Sequence, residues 1–373
     1  MTDRLTTDRV RTGRLTTDRL TTDPVPTDGS TTDRSRTDRS TTDRSTVGRA
    51  PDDRVTGVFL RHRNLLFTVA YELLGSAADA EDALQETWLR WIGVDPDTVR
   101  EPRAYLVRIT TRQALGHLRA LGRRRESYVG PWLPEPLLTA PDVAEDVELA
   151  ESVSMAMMLV LETLAPTERA VFVLREVFEL GYDEIAEAVE KSPAAVRQIA
   201  HRARGHVAAR RPRGAATAEE TRRTVEAFRR AVETGDLRRL LAVLAPDVVL
   251  LTDGGGVARA ALAPVVGADR VARVLAGLAT TAARLRPVTV NGQRALTVHL
   301  SGHLSDAPPE GRSGASVDTV LALRVADGRV TGLYAVRNPE KLLHLDRETP
   351  LRRRPVEDES WPPGSEPLGP RRR

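Results

Sequence analysis

Apolar residues recur at helical spacing in three successive stretches that follow Asp53. The first stretch ends at Gly75, a residue that commonly terminates a helix. The second, from Ser76 to Trp91, keeps its apolar residues on one face and its acidic residues on the other. The third runs from Ala104 to about Arg125 and carries six arginines without an acidic residue. The pattern predicts an all-α domain over residues 53–128, and the arginines predict a phosphate-bearing partner.

A second helical region ends in two short helices joined by a tight corner. The first helix is predicted over Tyr182 to Val189, and Ser192 and Pro193 then suit the N-cap and the first position of the next helix. One face of that next helix is apolar, with Val196, Ile199, Ala200, Ala203 and Val207. The other face carries Arg197, Gln198, His201, Arg202 and Arg204. This is typical of a helix-turn-helix whose second helix enters the DNA major groove, and a helical hairpin with a solvated basic face is the alternative.

The last third of the chain changes from helical to mixed periodicity. A helix begins near Ala218, a strand from Leu244 to Asp253 ends at a glycine turn, and a further helix is predicted from Ala268 to Ala283. Four strands follow between Gly and Pro turns: Arg286 to Val290, Arg294 to Leu300, Thr319 to Val325, and Arg329 to Val336. Helices followed by a meander predict an α+β domain in which a curved sheet encloses a cavity.

Both ends of the chain lack the apolar residues that a core needs. Residues 1–49 repeat Thr-Thr-Asp-Arg units with a five-residue period that fits neither a helix face nor a strand face. We therefore expect a disordered tail, and a start site assigned too far upstream is the alternative. Residues 346–373 are charged and rich in proline, so we expect disorder there too, with Arg352 to Arg354 in solvent.

Composition narrows the possible chemistry. The 373 residues favour two or three domains, and the net charge of +3 conceals local basic clusters. The chain has no cysteine, which excludes thiolate catalysis, cysteine-ligated zinc and disulfides. No apolar run approaches the roughly 20 residues of a membrane span, and the N-terminus lacks a signal-peptide core. These features predict a cytoplasmic protein without a cofactor or a bound metal.

Several motifs occur in a specific order. Residues 79–91 read DAEDALQETWLRW, residues 103–130 read RAYLVRITTRQALGHLRALGRRRESYVG, and the helix-turn-helix follows. Between these blocks lies WLPEPL at 132–137, and further on come DGGG at 253–256 and NPEKL at 338–342. In this order the motifs resemble the two-domain extracytoplasmic-function sigma factors of bacterial RNA polymerase that carry a fused SnoaL-like C-terminal domain. The resemblance covers Asp53 to Leu345. Val257 stands where the family's glycine motif usually continues with lysine.

The resemblance implies a role for each helical domain. The first domain would dock on the clamp helices of the polymerase β′ subunit through Asp82, Gln85, Glu86, Trp88 and Leu89. An acidic outer face on a three-helix bundle is the alternative. The arginine-rich helix would melt and read the minus-ten element, holding the separated strand through Arg108, Arg112, Gln113, His117, Arg119, Arg123, Arg124 and Arg125. In the second domain, over 153–213, the resemblance assigns minus-thirty-five contacts to Arg197, Gln198, His201, Arg202 and Arg204.

The resemblance also directs attention to the linker, residues 129–152. Its acidic part, Asp142 to Glu151, would thread the nucleic-acid channel of the polymerase, and a solvated linker is the alternative. The WLPEPL motif comprises Trp132, Leu133, Pro134, Glu135, Pro136 and Leu137. Its prolines favour an extended path, so we expect the domain over 218–345 to bind it and regulate the protein. The regulatory contacts are expected from Asp253, Gly254, Gly255, Gly256, Asn338, Pro339, Lys341 and Leu342.

Two other functions remain open at this point. One is a SnoaL-like isomerase or hydrolase tethered to DNA, for which Asp253, His299 and His303 are candidate acid and base groups. The other is a one-component regulator whose cavity binds a small ligand. Neither needs the block from Asp53 to Arg125, so we favour a sigma factor that is monomeric and binds core polymerase, duplex promoter DNA and the melted minus-ten strand.

Overall fold

The computed structural model describes residues 53–140, 143–144, 146–210, 216–279, 283–300, 317–345 and 347–355. The expected disorder of the repeat tail over 1–49, and of residues 356–373, lies outside these ranges. Within them, every helix is too short or too polar to cross a membrane.

Three helices form the first domain. They are α1 (Asp53–Leu74), α2 (Ala77–Trp91) and α3 (Pro102–Glu126). The Ser76 hydroxyl accepts a 3.2 Å hydrogen bond from the Asp79 amide, which caps α2. Trp91 is fully buried, and its indole N–H donates to the Val55 carbonyl at 2.8 Å. This bond joins the end of α2 to the start of α1.

The linker ends in the short helix α4 (Val147–Ser152), and four helices follow in the described residues of the second domain. They are α5 (Met155–Leu161), α6 (Pro166–Phe172), α7 (Tyr182–Val189) and α8 (Pro193–Arg210), with a π-helical turn at Val173–Val177. The corner between α7 and α8 places Glu190 in the left-handed region, with φ of +55°. The Ser192 hydroxyl then accepts from the Ala195 amide at 3.2 Å, as its N-cap position predicts. Helices α7 and α8 form the helix-turn-helix.

The C-terminal domain combines helices with one six-stranded sheet. Its elements are α9 (Ala218–Thr234), α10 (Leu237–Val243), β1 (Leu244–Asp253), β2 (Val265–Val266), α11 (Ala268–Ala279), β3 (Arg284–Val290), β4 (Gln293–His299), β5 (Thr319–Ala326) and β6 (Arg329–Val336). The strand order is β2-β1-β6-β5-β4-β3. The predicted meander is present in β3 to β6, and β1 lies parallel to β6. The α+β prediction is confirmed. The helix predicted from near Ala218 is divided into α9 and α10 at Gly235, which has φ of +67°, and β2 was not predicted.

Both faces of this sheet are covered. On one face, Leu323 and Leu333 pack in a core with Phe228 of α9 and Leu275 of α11. The other face packs against the linker and α5, and the buried residues there are Leu133, Met155, Val290, Ala295, Val320, Ala322, Tyr334 and Val336. The linker therefore completes the fold of the sheet domain.

The segment after the sheet domain differs from the prediction of a solvated tail. Leu351 is only 1% exposed and belongs to the apolar core of the two helical domains. The Arg353 guanidinium lies 2.9 Å from Asp146 and 2.5 Å from Glu148, measured N to O. The prediction that Arg352 to Arg354 are solvated is thus wrong for Arg353, because the apolar Leu351 brings its neighbours onto the protein surface.

Candidate polymerase and promoter interfaces

The outer face of α2 is open at most of the positions expected to bind polymerase. Asp82 and Gln85 are exposed, and Leu89 is 59% exposed. Trp88 is half-buried behind them, its ring centroid 5.1 Å from that of Phe59. An acidic and amide face with one exposed leucine, supported by a packed aromatic ring, is suited to a basic protein surface.

Glu86 is exposed, as expected of it, and its carboxylate also contacts the neighbouring helix α3. One carboxylate oxygen accepts from the Gln113 amide, and the other lies 3.2 Å from His117 Nε2. Gln113 and His117 are two of the expected minus-ten residues. Glu86 therefore holds two side chains of α3 that were expected to contact the minus-ten element.

The arginines of α3 meet the first helix of the helix-turn-helix. Arg108 Nη1 lies 2.5 Å from Glu187 Oε2, and Arg112 donates to the Glu187 carbonyl at 2.8 Å. Arg112 Nε also lies 3.6 Å from a carboxylate oxygen of Glu190. Glu187 of α7 and Glu190 of the following corner thus contact two arginines that were expected to bind DNA.

The end of α3 is divided between exposed and structural arginines. Arg119 is exposed, and the side chains of Arg123 and Arg124 lie outside the described part. Arg125 differs from the expected phosphate contact, because it pairs with Glu162 and donates to the Leu74 carbonyl at 2.8 Å. Burial lowers the pKa of its guanidinium to about 10, with nearby Arg169 contributing.

Helix α8 presents the expected minus-thirty-five residues on one side. Arg197, Gln198, His201 and Arg202 are exposed. Arg204 is instead bound within the domain, 2.9 Å from Glu176 and 2.8 Å from the Tyr182 hydroxyl. Four of the five expected side chains are thus directed toward solvent, as major-groove contact requires.

Asp253 ends β1 with a carboxylate that is fully buried. Its Oδ1 accepts from the Tyr128 hydroxyl at 2.5 Å, and its Oδ2 accepts from the Leu133 amide at 2.8 Å. Lys341 Nζ lies 2.8 Å from the same Oδ2 and also donates to the Leu133 carbonyl. We call these four residues with Trp132 and Asn338 the linker site, because they join the sheet domain to the WLPEPL segment.

Two cations lie over the Trp132 ring of the linker site. The Arg125 guanidinium carbon is 3.6 Å from the ring centroid, and Lys341 Nζ is 4.1 Å from it. Burial lowers the pKa of Lys341 to about 8, although the Asp253 charge and hydrogen bond oppose this shift. The loss of hydration thus destabilises the charged ammonium more than the Asp253 carboxylate stabilises it.

The glycine turn after β1 fits closely against the NPEKL segment. Gly255 has φ of +60°, and a Cβ at this position would overlap the Asn338 side-chain amide. Asn338 is 4% exposed and donates from Nδ2 to the Tyr128 hydroxyl at 3.0 Å. Val257, which replaces the family lysine, is 76% exposed and stands outside these contacts. Glycine is needed here both for the backbone conformation and for the approach of Asn338.

The rest of the WLPEPL segment binds the first helical domain. Glu135 is 3% exposed, and its carboxylate accepts from the Ala77 amide at 2.8 Å, at the N-terminus of α2. The Tyr71 hydroxyl donates to the Glu135 carbonyl at 2.6 Å. His344 Nδ1 lies 2.8 Å from the other Glu135 oxygen, without the alignment of a hydrogen bond. The same short segment therefore contacts both the sheet domain and the helices.

Asn291, absent from our sequence predictions, joins three parts of the chain. It occupies the turn between β3 and β4 with φ of +53° and is 1% exposed. Its Oδ1 accepts from the Leu137 amide at 2.8 Å, and its Nδ2 donates to the Tyr71 hydroxyl at 2.6 Å and the Val153 carbonyl at 2.8 Å. The Asn-Gly pair at 291–292 was a recognisable hairpin signal, but its contacts depend on the tertiary fold.

Comparison with known proteins follows the same three-part division. Residues 58–124 match Sigma-70 region 2, residues 154–207 match Sigma-70 region 4, and residues 225–333 match the SnoaL-like domain family. The ECF RNA polymerase sigma factor SigJ of Mycobacterium tuberculosis is 37% identical over 286 residues, which cover 75% of this chain and 90% of SigJ. The chain belongs to the ECF RNA polymerase sigma factors. It therefore binds core RNA polymerase and directs transcription initiation at promoters.

Further similarities agree with this family. A probable ECF RNA polymerase sigma factor, SigI of Mycobacterium tuberculosis, is 31% identical over 300 residues, covering 79% of this sigma factor and 97% of SigI. The crystal structure of SigJ superposes with a TM-score of 0.61 at 34% identity, covering 80% of this sigma factor and all of that chain. These relatives are sigma factors rather than enzymes.

The candidate catalytic groups are separated or already bound. Asp253 belongs to the linker site, and His299 Nε2 lies 3.2 Å from the Thr297 hydroxyl on the same strand. His303 lies outside the described residues. Among the residues that are described, no cluster of three or more His, Asp or Glu side chains is arranged to hold a metal.

Proposed function

We propose that the SnoaL-like domain of this sigma factor holds its two helical domains in a closed arrangement and thereby controls promoter use. The observation that carries the proposal is the buried Asp253 carboxylate, which binds Tyr128, Leu133 and Lys341. Leu133 belongs to the linker between the helical domains, and Tyr128 is the residue that immediately precedes it. Removing one member of such a buried set leaves charged or polar groups without partners, so the contact resists separation.

We assign core-polymerase binding to the exposed part of the α2 face, with Glu86 joining it once it releases α3. The minus-ten contacts are assigned to Arg108 and Arg112 after α7 withdraws, and to Gln113 and His117 after Glu86 releases them. The exposed Arg119 is available from the start. We assign the minus-thirty-five contacts to the open face of α8. Arg204 is assigned instead to the packing of α8 within its domain, because Glu176 and Tyr182 bind it.

Promoter geometry supports an opening step. Elements at minus ten and minus thirty-five are about 25 base pairs apart, or roughly 85 Å along B-DNA at about 3.4 Å per pair. In the closed arrangement α3 touches α7 of the helix-turn-helix through Arg108 and Glu187, 2.5 Å apart. Helices in direct contact do not reach both elements of an extended duplex. The segment 127–146 spans roughly 65 Å when extended, so release of the linker permits separation.

We propose four further properties of this sigma factor. It acts in the cytoplasm, where its polymerase works, and as a monomer, since its two helical domains already cover each other. The domain boundaries are those proposed from the sequence: 53–128, 129–152, 153–213 and 218–345. The SnoaL-like domain serves regulation rather than catalysis, because its buried Asp253 is used for binding the linker, and any small ligand of that domain would act through the linker.

Run-off transcription at fixed core polymerase tests the proposal. Lys341→Met removes the ammonium from Asp253 and Trp132→Ala removes the ring beneath it, so each is expected to raise promoter-directed transcription by at least about threefold. Glu340→Gln is the matched control, since it changes one charge at an exposed position beside Lys341. Equal output from all three variants and the parent protein would refute the regulatory role while leaving the family assignment intact.

A further inference from the structure

The residues that follow the SnoaL-like domain return to the helical domains and bind there. We call residues 347–355 the C-terminal strap. The Thr349 amide donates to the Leu138 carbonyl at 2.7 Å, which fixes the strap to the linker. The Arg352 amide donates to the Thr68 hydroxyl of α1 at 2.9 Å. Between these bonds, Leu351 is 1% exposed in the core that the two helical domains share.

Charged groups of the strap extend these contacts to the second helical domain. Arg353 Nε lies 2.9 Å from Asp146, and another guanidinium nitrogen lies 2.5 Å from Glu148, at the start of α4. Asp146 also caps α4, accepting from the Leu149 amide at 3.1 Å. Arg354 lies 3.7 Å from Glu179, which precedes the helix-turn-helix. The strap thus contacts α1, the linker, α4 and the entrance to α7.

These contacts differ from those of the linker site in position and in chemistry. The linker site binds the WLPEPL segment through a buried carboxylate, whereas the strap inserts one leucine and places two arginines beside acidic residues. We propose that the C-terminal strap is a latch that locks the closed arrangement of the helical domains, independently of the linker site. The proposal rests on the regulatory function above, because it assumes that closure limits promoter use.

The strap also binds two of the acidic linker residues that were expected to enter the polymerase channel. Asp146 and Glu148 are both paired with the single guanidinium of Arg353 in the closed protein. When the strap leaves, both carboxylates become free to act in the polymerase channel. The same step that opens the helical domains therefore exposes the acidic linker for its expected role.

Fluorescence energy transfer in the full-length protein tests the latch. The chain has no cysteine, so Ala120→Cys on α3 and Ala208→Cys on α8, both at exposed positions, accept one dye pair without background. Arg353→Glu should raise the low-transfer, open population by about fivefold or less, the range of a partly exposed ion pair. Leu351→Asp should open the protein further, and circular dichroism checks that its helices remain folded.

Two further variants make the result specific. Glu148→Arg combined with Arg353→Glu restores an opposite-charge pair and should return the closed population. Arg347→Glu makes the same charge change at an exposed strap position and should have no effect. If Arg353→Glu and a folded Leu351→Asp both leave the energy transfer unchanged while Lys341→Met lowers it, the latch is refuted and the linker site stands. If the strap variants open the protein and Lys341→Met does not, the latch stands and the linker-site proposal fails. Unchanged transfer in every variant contradicts both.

Discussion

Asp253→Asn is the most direct perturbation of the linker site. The change keeps the size of the side chain and removes its negative charge. The Leu133 amide and the Tyr128 hydroxyl, now 2.8 Å and 2.5 Å from the two oxygens, then compete for the single remaining acceptor. Lys341, whose side chain is 12% exposed, loses its counter-ion. One unsatisfied donor costs about 1–3 kcal/mol.

The lost ion pair with Lys341 adds less to the free-energy cost of Asp253→Asn than the loss of a buried ion pair ordinarily does. Breaking such a pair costs about 3–5 kcal/mol when the remaining charge cannot be removed. Here the pKa of Lys341 is already lowered to about 8, so release of its proton at pH 7 costs only about 1.4 kcal/mol. The total expected for Asp253→Asn at pH 7 is therefore roughly 2–4 kcal/mol.

This reasoning also predicts a pH dependence. Because the pKa of Lys341 is lowered by burial, the parent protein itself loses the ammonium charge as the pH rises through about 8. At pH 9 Lys341 is mostly neutral, so the part of the free-energy cost that comes from the lost ion pair should nearly disappear. The total free-energy cost of Asp253→Asn should therefore fall by about 1 kcal/mol between pH 7 and pH 9.

Hydrogen exchange of the Leu133 amide measures the effect at the site itself, since this amide donates to Asp253. Asp253→Asn should accelerate its exchange by at least about tenfold relative to the parent at pH 7. Asp247→Asn, an exposed position on the same strand, is the matched control and should leave exchange unchanged. Undiminished protection in Asp253→Asn would show that the carboxylate does not hold the linker.

Three other predictions concern separate surfaces. Asp82→Arg should weaken the capture of core polymerase at moderate salt while helicity is retained, and unchanged capture would remove α2 from the interface. Arg197→Ala should cost about 1–3 kcal/mol at one minus-thirty-five base, whereas Arg210→Ala should weaken all DNA alike and reduce the salt dependence; equal losses on cognate and scrambled DNA would contradict this division. Burial raises the pKa of Glu72 from 4.5 to about 8. Its contribution to the free energy of unfolding is therefore complete below pH 4.5 and is lost as the pH rises to 8, at about 1.4 kcal/mol per pH unit. Glu72→Gln should abolish that slope in thermal unfolding, and an unchanged slope would show that Glu72 is not its source.

Local patterns were sufficient to predict the main elements of the fold. The N-cap at Ser192 and the apolar face from Val196 to Val207 predicted α8, and the Gly and Pro turns between successive segments predicted β3 to β6. These features depend on neighbours within a few residues. The parallel pairing of β1 with β6 was beyond this reasoning, because it joins residues such as Leu250 and Leu333 that are far apart in the chain.

Side-chain partners across domains were predictable only in part. Motif order directed attention to Asp253, Asn338 and Lys341, since a proline-containing apolar linker requires a surface to cover it. Both Asp82 and Glu86 are exposed, and nothing local indicated that Glu86 also binds α3. The burial of Leu351 was likewise hidden, because one leucine among charged residues has no periodic pattern. Such positions are determined by tertiary contacts rather than by propensity.

We propose that α3 and the helix-turn-helix, which lie in contact in the closed arrangement, separate when the sigma factor uses a promoter. The dye pair at Ala120→Cys and Ala208→Cys measures this in the free protein and in the complex with core polymerase and promoter DNA. The account predicts high energy transfer in the free protein and low transfer in the complex that initiates transcription. High transfer retained in a complex that is actively producing transcripts would contradict it.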